Sequence, residues 1–193
     1  MEIFYLVVAT IVAYLLGAIP TSVWIGKIFY GIDVRDYGSG NAGTTNTFRI
    51  LGKKAGIPVF LIDVLKAYVA VNLVRFFPYL PNTPSYVNLQ LLFGIVAVIG
   101  HIFPIYVGFK GGKGVASLLG LTLAIVPIPA LLAFAVFAVV LLISHYVSLG
   151  SMFAGCSFPF FGCSDRFVIR IKYATSGTNI FTYYWWNIWY FSC

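Results

Sequence analysis

Six apolar runs of helical length punctuate this chain: Ile3 to Ile25, Gly56 to Phe76, Val87 to Val107, Val115 to Val126, Pro129 to Tyr146 and Leu149 to Phe161. A helix that crosses a bilayer takes about 20 mostly apolar residues, and runs of this kind leave little chain for a water-soluble domain. Of the 193 residues, 61% are hydrophobic and 9% charged, whereas soluble domains run at about 45–50% apolar and about 25% charged. The expected fold class is an all-α polytopic integral membrane protein with six recognisable transmembrane helices. The opening stretch MEIFYLVVATIVAYLLGAIP has Glu2 where a cleaved signal would be basic, and it continues into more apolar chain, so it is read as a retained first helix. The fourth run is short and ends at VPIPA, where two prolines force a turn.

The segments between runs set the orientation. Lys27, Arg35, Arg49, Lys53 and Lys54 crowd the first, PYLPNTPSYVN after the second has no charge, and Lys110 and Lys113 follow the third. Basic connections stay on the cytoplasmic side. The first and third connections, and the HYVSLGS turn after the fifth run, are therefore expected there, with the N-terminus outside. The formal charge of +7 comes from lysines and arginines that form neither a block nor a polar face. That argues against nucleic acid and suits anionic head groups or phosphates. Cys156, Cys163 and Cys193 have no metal-ligand spacing, and no metal is expected.

The first connection holds DYGSGNAGTTNTFR, Asp36 to Arg49. Gly38, Gly40 and Gly43 formally satisfy G-x-G-x-x-G, but a dinucleotide site needs a strand before the motif and a βαβ unit around it. Here a membrane helix precedes it. The physics of the loop is independent of that label: glycines admit close approach of a ligand, successive amides form a concavity, and a helix beginning near Thr45 adds its positive end. Ser39, Asn41, Thr44, Thr45 and Asn46 add side-chain donors, and Arg49 a planar fork for phosphate oxygens. The plain alternative is a solvated turn whose basic residues only set orientation.

FKGGKGVAS, Phe109 to Ser117, resembles a Walker loop but puts Gly114 where Ser or Thr should follow Lys113. Nucleotide binding is not expected. What remains is Lys113 among Gly111, Gly112 and Gly114 at the start of a helix, a second place suited to phosphate, or a pair of interfacial lysine anchors.

Asp63 and Lys66, three residues apart, share one helix face inside the second run. Charges inside a bilayer are costly and mark function or an internal ion pair; structural support for a site is the expected role. His101 falls near the cytoplasmic end of the third run, as a helix-end residue or a substrate contact. Neither histidine is followed by H-x-x-x-x-D, and no G-x-S-x-G or H-E-x-x-H occurs. Acyl-transfer chemistry built on a His/Asp pair is thus not expected. Two anion cradles with little acid–base machinery suit a reaction that joins two phosphate-bearing molecules, one of them already activated.

GAIPTS, YGSGNAGTTNTFR, DVLK, IGHIFPIYVGFKGGKGVAS and SLGS, in that order and spacing, resemble the PlsY family of membrane glycerol-3-phosphate acyltransferases, which use acyl phosphate as donor; the resemblance covers about residues 1–161. It implies a seven-helix protein of the bacterial inner membrane that acylates the sn-1 hydroxyl of glycerol 3-phosphate and releases lysophosphatidic acid and phosphate. No acyl-carrier protein, coenzyme A, nucleotide or metal is then required. By motif, Ser39, Gly40, Asn41, Asn46 and Arg49 would cradle phosphate and carbonyl oxygens, and Lys113 with its glycines a second phosphate. Ser148 and Ser151 are candidates at the third turn. The base for the attacking hydroxyl stays open between His101, a water and the acceptor's own phosphate.

The resemblance stops near Phe161. The family's last motif, a histidine followed by Asn-Ile, basic residues and Gly-x-Glu, has no counterpart in residues 162–193, which also contain no apolar run of about 20 residues. That tail is expected to derive from a shifted reading frame. A small anion transporter, or an inactive membrane scaffold, is the alternative function.

Overall fold

The computed structural model describes residues 2–81 and 83–176, and every regular element among them is helical. The α-helices are α1 (Glu2–Ala18), α2 (Thr21–Tyr30), α3 (Thr44–Leu51), α4 (Lys53–Val71), α5 (Pro84–Ile102), α6 (Val115–Ile125), α7 (Pro127–Ser144) and α8 (Val147–Ser176). Short 3-10 turns cover Val34–Asp36, Asn72–Phe76 and Ile105–Val107. Among the described residues, three segments are long and apolar enough to cross a membrane: Lys53–Phe76, Pro84–Val107 and Pro127–Ser144. A fourth span results if α1 and α2 count as one. At 11 residues α6 is only about 16 Å long, half of a hydrocarbon core about 30 Å thick.

Two runs differ from expectation. The first is not one helix: it breaks at Ile19–Pro20 with a bend of 43°. Pro20 has no N–H to donate to the Leu16 carbonyl four residues back; at the break the Ile19 carbonyl accepts from the Thr21 N–H at 3.0 Å and from Lys66 Nζ at 2.7 Å. The last run does not end at Phe161, because α8 carries on through Pro159 to Ser176. Residues 177–193, where most of the expected frame-shifted tail falls, lie outside the described residues.

Lipid gives helices no hydrophobic drive to associate, so close packing depends on small residues. A side chain at Gly17 or Gly100 would collide with the backbone of the partner helix, which lets α1 and α5 pack backbone to backbone; Gly120 does the same for α6 against Val64 of α4. Ala13, Ala70, Phe93 and Ala97 are fully buried where α1, α4 and α5 meet. The start of α2, with α4 and α5, carries Thr21, Asp63, Lys66 and His101 into one buried layer beneath the glycine loops. The outward faces of α1, α4 and α7 remain apolar and exposed, as lipid contact requires.

Candidate active site

Asp63 is the hub. Its carboxylate accepts from Thr21 Oγ1 (3.0 Å) and Thr44 Oγ1 (3.4 Å) and pairs with Lys66 Nζ (2.9 Å), while His101 Nδ1 lies 3.6 Å from the same oxygen that Lys66 touches. Ser117 Oγ donates to the Asp63 backbone carbonyl at 3.4 Å. Residues of α2, α3, α4, α5 and α6 thus converge on one residue, Asp63, that is 1% exposed. Asp63 and Lys66 form the expected ion pair. The sequence has no H-x-x-x-x-D motif, yet Asp63 and His101 come together from separate helices, a pairing that no local spacing motif can report. A cavity of about 10 Å³, roughly the room for one water, is lined by Thr21, Ala42, Asp63, Lys66, His101 and Gly111 among others.

The first loop is built by side-chain clips. Asp33 caps the Val34–Asp36 turn and takes a two-pronged bond from Arg35 (3.0 and 2.7 Å), while Lys27 approaches it at 3.1 Å. The hydrogen bonds from Arg35 hold the Asp33 carboxyl well below the usual carboxylate range, against the opposing effect of burial. The remaining Arg35 prong donates to the Val107 carbonyl at 2.8 Å, joining the first loop to the 105–107 turn. Asn46 spends its whole amide on the loop: Nδ2 donates to the carbonyls of Val34 (2.7 Å) and Tyr37 (3.1 Å), and Oδ1 accepts from the Ser39 N–H (2.9 Å). Gly38 and Gly40 adopt positive φ, which permits the tight reversal between Tyr37 and Asn41. Ser22 Oγ donates to the Ala42 carbonyl at 2.8 Å and fixes the far side. Thr47 Oγ1 donates to the Gly43 carbonyl as α3 begins.

The second loop hooks back over the end of α5, with Gly111 N–H donating to the Ile102 carbonyl and Gly112 N–H to the His101 carbonyl, both at 3.1 Å. Gly112 is bare because a side chain there would collide with His101 Nε2. Gly114, at φ 80°, turns the chain into α6.

The two loops meet. A methyl placed on Gly43 would lie 3.7 Å from the Gly112 Cα and 4.0 Å from the Lys113 backbone nitrogen. The residue that precedes α3 therefore meets the loop that leads into α6, and each helix start carries the partial positive charge that favours anions. Ser39, Thr45, Arg49 and Lys113 are exposed, Thr45 in the first turn of α3 and Arg49 in its last, and no carboxylate pairs with Arg49 or Lys113 among the described residues. Asn41 Oδ1 is buried there without a hydrogen-bond partner.

Not every expected site residue joins in. Ser148 and Ser151 bond to each other, Oγ of Ser151 to the Ser148 carbonyl at 2.8 Å, in the first turn of α8. No hydrogen bond or ion pair links them to either glycine loop among the described residues. Asn46 sits inside the loop rather than at its surface, 2% exposed. Thr44 faces Asp63. Sequence reading assigned no site role to Thr21, Ser22, Arg35 and Ser117; hydroxyls directly after Pro20 in an apolar run were the available signal for the first two.

Fold and site together define a polytopic helical membrane protein in which two basic glycine loops close over a buried acid–base cluster. The chain belongs to the glycerol-3-phosphate acyltransferase family, whose model matches residues 7–189 and so runs on past Phe161. Among similar proteins, the glycerol-3-phosphate acyltransferase of Chlorobium phaeobacteroides (strain BS1) is 45% identical over 161 residues, covering 81% of this chain and 68% of that one. That of Enterococcus faecalis (strain ATCC 700802 / V583) is 50% identical over 147 residues, covering 76% and 65%. The crystal structure of PlsY (YgiH), an integral membrane glycerol 3-phosphate acyltransferase, matches in its glycerol 3-phosphate form with a TM-score of 0.71 at 40% identity, over 81% of this chain and 75% of that one. Its lysophosphatidic acid form matches with a TM-score of 0.69 at the same identity, over 81% and 74%.

Proposed function

We propose that this chain transfers a fatty acyl group from acyl phosphate to the sn-1 hydroxyl of glycerol 3-phosphate, giving lysophosphatidic acid and inorganic phosphate for phospholipid synthesis. The observation that carries this reading is the meeting of Gly43 with Gly112 and the Lys113 nitrogen, which brings two anion-suited helix starts to one place. Two phosphate-bearing substrates need two such places side by side.

The chemistry asks mainly for alignment. The sn-1 oxygen attacks the acyl carbon, the carbon–oxygen bond to phosphorus breaks, and phosphate leaves with that bond's electron pair; the hydroxyl proton ends on the released phosphate. Because the mixed anhydride is already activated, positioning supplies much of the acceleration, worth up to about 7–11 kcal/mol in well-oriented systems. Ser39, Arg49 and Lys113, with the Gly38–Gly43 and Gly111–Gly114 backbones, provide fixed donors for the oxyanion and the two phosphates. Thr44 and Thr45 begin α3 at the same point. Asn46, Asp63, Lys66 and His101 hold the loops in place beneath. No cofactor, metal, acyl-carrier protein or coenzyme A is part of this scheme. The loops face the cytoplasm from the inner membrane of a bacterium, a placement supported by Lys27, Arg35, Arg49, Lys53, Lys54, Lys110 and Lys113 on the loop side.

Purified protein in lipid nanodiscs, given acyl phosphate and labelled glycerol 3-phosphate, is expected to form labelled lysophosphatidic acid, and Lys113→Ala to abolish it. Product formed only from acyl-coenzyme A would refute the donor assignment, and label crossing a liposome without product would indicate transport. The boundary after Phe161 carries its own proposal, a shifted frame over residues 162–193. It fails if no alternative frame of the gene encodes an apolar helix followed by the His, Asn-Ile and basic pattern.

A further inference from the structure

Asn41 Oδ1 is shielded from solvent and has no hydrogen-bond partner. Buried polar atoms are almost always paired, and one left open at a loop junction calls for an explanation. Its surroundings are those of the junction itself, since the methyl position of Gly43 lies 4.0 Å from Asn41 Oδ1, 3.7 Å from the Gly112 Cα and 4.0 Å from the Lys113 nitrogen. The inward-facing polar groups beside it are already engaged. Ala42 O is held by Ser22, the Thr44 hydroxyl is turned to Asp63, and the Asn46 amide is saturated. What Asn41 leaves open is an acceptor, which only a donor can fill.

This inference rests on the acyl-transfer reading, under which the two substrates differ in that respect. Acyl phosphate is ionised at neutral pH and offers acceptor oxygens alone, whereas glycerol 3-phosphate offers two hydroxyl donors. We infer that Asn41 Oδ1 accepts a hydrogen bond from the non-reacting sn-2 hydroxyl of glycerol 3-phosphate, so that the first glycine loop reads the polyol. The sn-1 hydroxyl is the poorer partner, because it must release its proton during attack and an amide oxygen is too weak a base to take it. The sn-2 hydroxyl keeps its proton throughout and can stay bound. A site with a buried acceptor also rejects an analogue without the hydroxyl, because the acceptor is then left unpaired.

Propane-1,3-diol monophosphate tests this, since it keeps the primary hydroxyl and the phosphate and lacks only the secondary hydroxyl. The native chain in nanodiscs is expected to prefer glycerol 3-phosphate over this analogue by about tenfold or more in kcat/KM. Asn41→Leu, similar in shape without the oxygen, is expected to lose about tenfold or more on glycerol 3-phosphate and less than about threefold on the analogue, leaving the KM for acyl phosphate unchanged. Asn41→Asp keeps an acceptor oxygen and is expected to retain the preference even if its turnover falls. A preference that persists in Asn41→Leu, one that vanishes in Asn41→Asp, or a defect confined to the acyl phosphate KM overturns the assignment. If Asn41→Leu turns over neither acceptor, the ratio in Asn41→Asp decides. Failure of the native chain to acylate either acceptor is a different result, which removes the acyl-transfer reading and this inference together.

Discussion

Asp63 on α4 and His101 on α5 face one another inside the helical core, with 3.6 Å between Oδ1 and Nδ1. The same oxygen is 2.9 Å from Lys66 Nζ, so one carboxylate stands between a lysine and an imidazole in a layer closed to solvent. Above it lie the two glycine loops, tied in through Thr44 and through the bare face of Gly112.

Removing the carboxylate charge exposes how much depends on it. Asp63→Asn leaves the Lys66 ammonium buried without a counter-charge, held only by neutral acceptors such as the Ile19 carbonyl, and breaking a buried pair from one side costs about 3–5 kcal/mol. The double variant Asp63→Asn/Lys66→Met removes both charges and is expected to recover a substantial part of that loss. Thermal unfolding of the three proteins in one lipid mixture measures it. A single variant as stable as the native chain would mean that the pair does not hold the layer together.

The glycines of the two loops should respond differently to a methyl group. At Gly112 the new Cβ collides with His101 Nε2, and the loop carrying Lys113 must shift; displacement of about 1 Å can cost about 10²-fold in rate. At Gly43 the Cβ would sit at ordinary contact distance from Gly112, and the backbone there, at φ −116°, suits any residue. Gly112→Ala is expected to lose about 10²-fold in kcat, and Gly43→Ala less than about tenfold. Equal losses in the two variants would show that His101 does not set the second loop.

Much of this was legible from residues alone, for physical reasons that differ by element. Apolar runs report helices directly, because a bilayer allows few other backbones, and glycines beside lysine and arginine report loops suited to anions. The helix break at Pro20 was masked, since apolar residues flank it on both sides and hydropathy does not register a missing N–H. The Asp63–His101 pair could not be read, because it arises from α4 packing against α5 and not from any local spacing. Asn46 was misplaced for a related reason. A loop asparagine that binds a substrate and one that clips its own backbone look alike until the carbonyls of Val34 and Tyr37 are seen to converge on it.

Asp33 predicts the acid behaviour of the loop. Its carboxyl is held below the usual range mainly by hydrogen bonds from Arg35, so the charged form is favoured in the folded state. The resulting stabilisation is complete above the unfolded-state value, about 3.9, and is lost as pH falls through the lower folded-state value. Asp33 therefore contributes no pH dependence between pH 6 and 8 and a destabilising slope below about pH 4. Asp33→Asn should be less stable than the native chain at neutral pH and should lose less stability on acidification. Unfolding temperatures from pH 7 to pH 3 show whether the two curves approach one another as expected; parallel curves would count against the Asp33–Arg35 clip.

Substitutions at Asn46 separate a backbone clip from a substrate ligand. Asn46→Ala leaves the Ser39 N–H and two carbonyls without the amide, at about 1–3 kcal/mol for each buried group left unpaired. Asn46→Asp is the smaller change in shape, yet it points a charged acceptor at the carbonyls of Val34 and Tyr37 in a position that is 2% exposed. Acceptor facing acceptor repels, and a buried charge without a cation beside it costs more than a missing amide. The aspartate variant is thus expected to be the less stable of the two, with the loop around Tyr37 to Gly43 cut earlier in limited proteolysis. A side chain that served only the substrate would give the opposite pattern, with stability intact in both variants and the change confined to the KM of an anionic substrate. Proteolysis and KM measured on the same preparations tell the two roles apart.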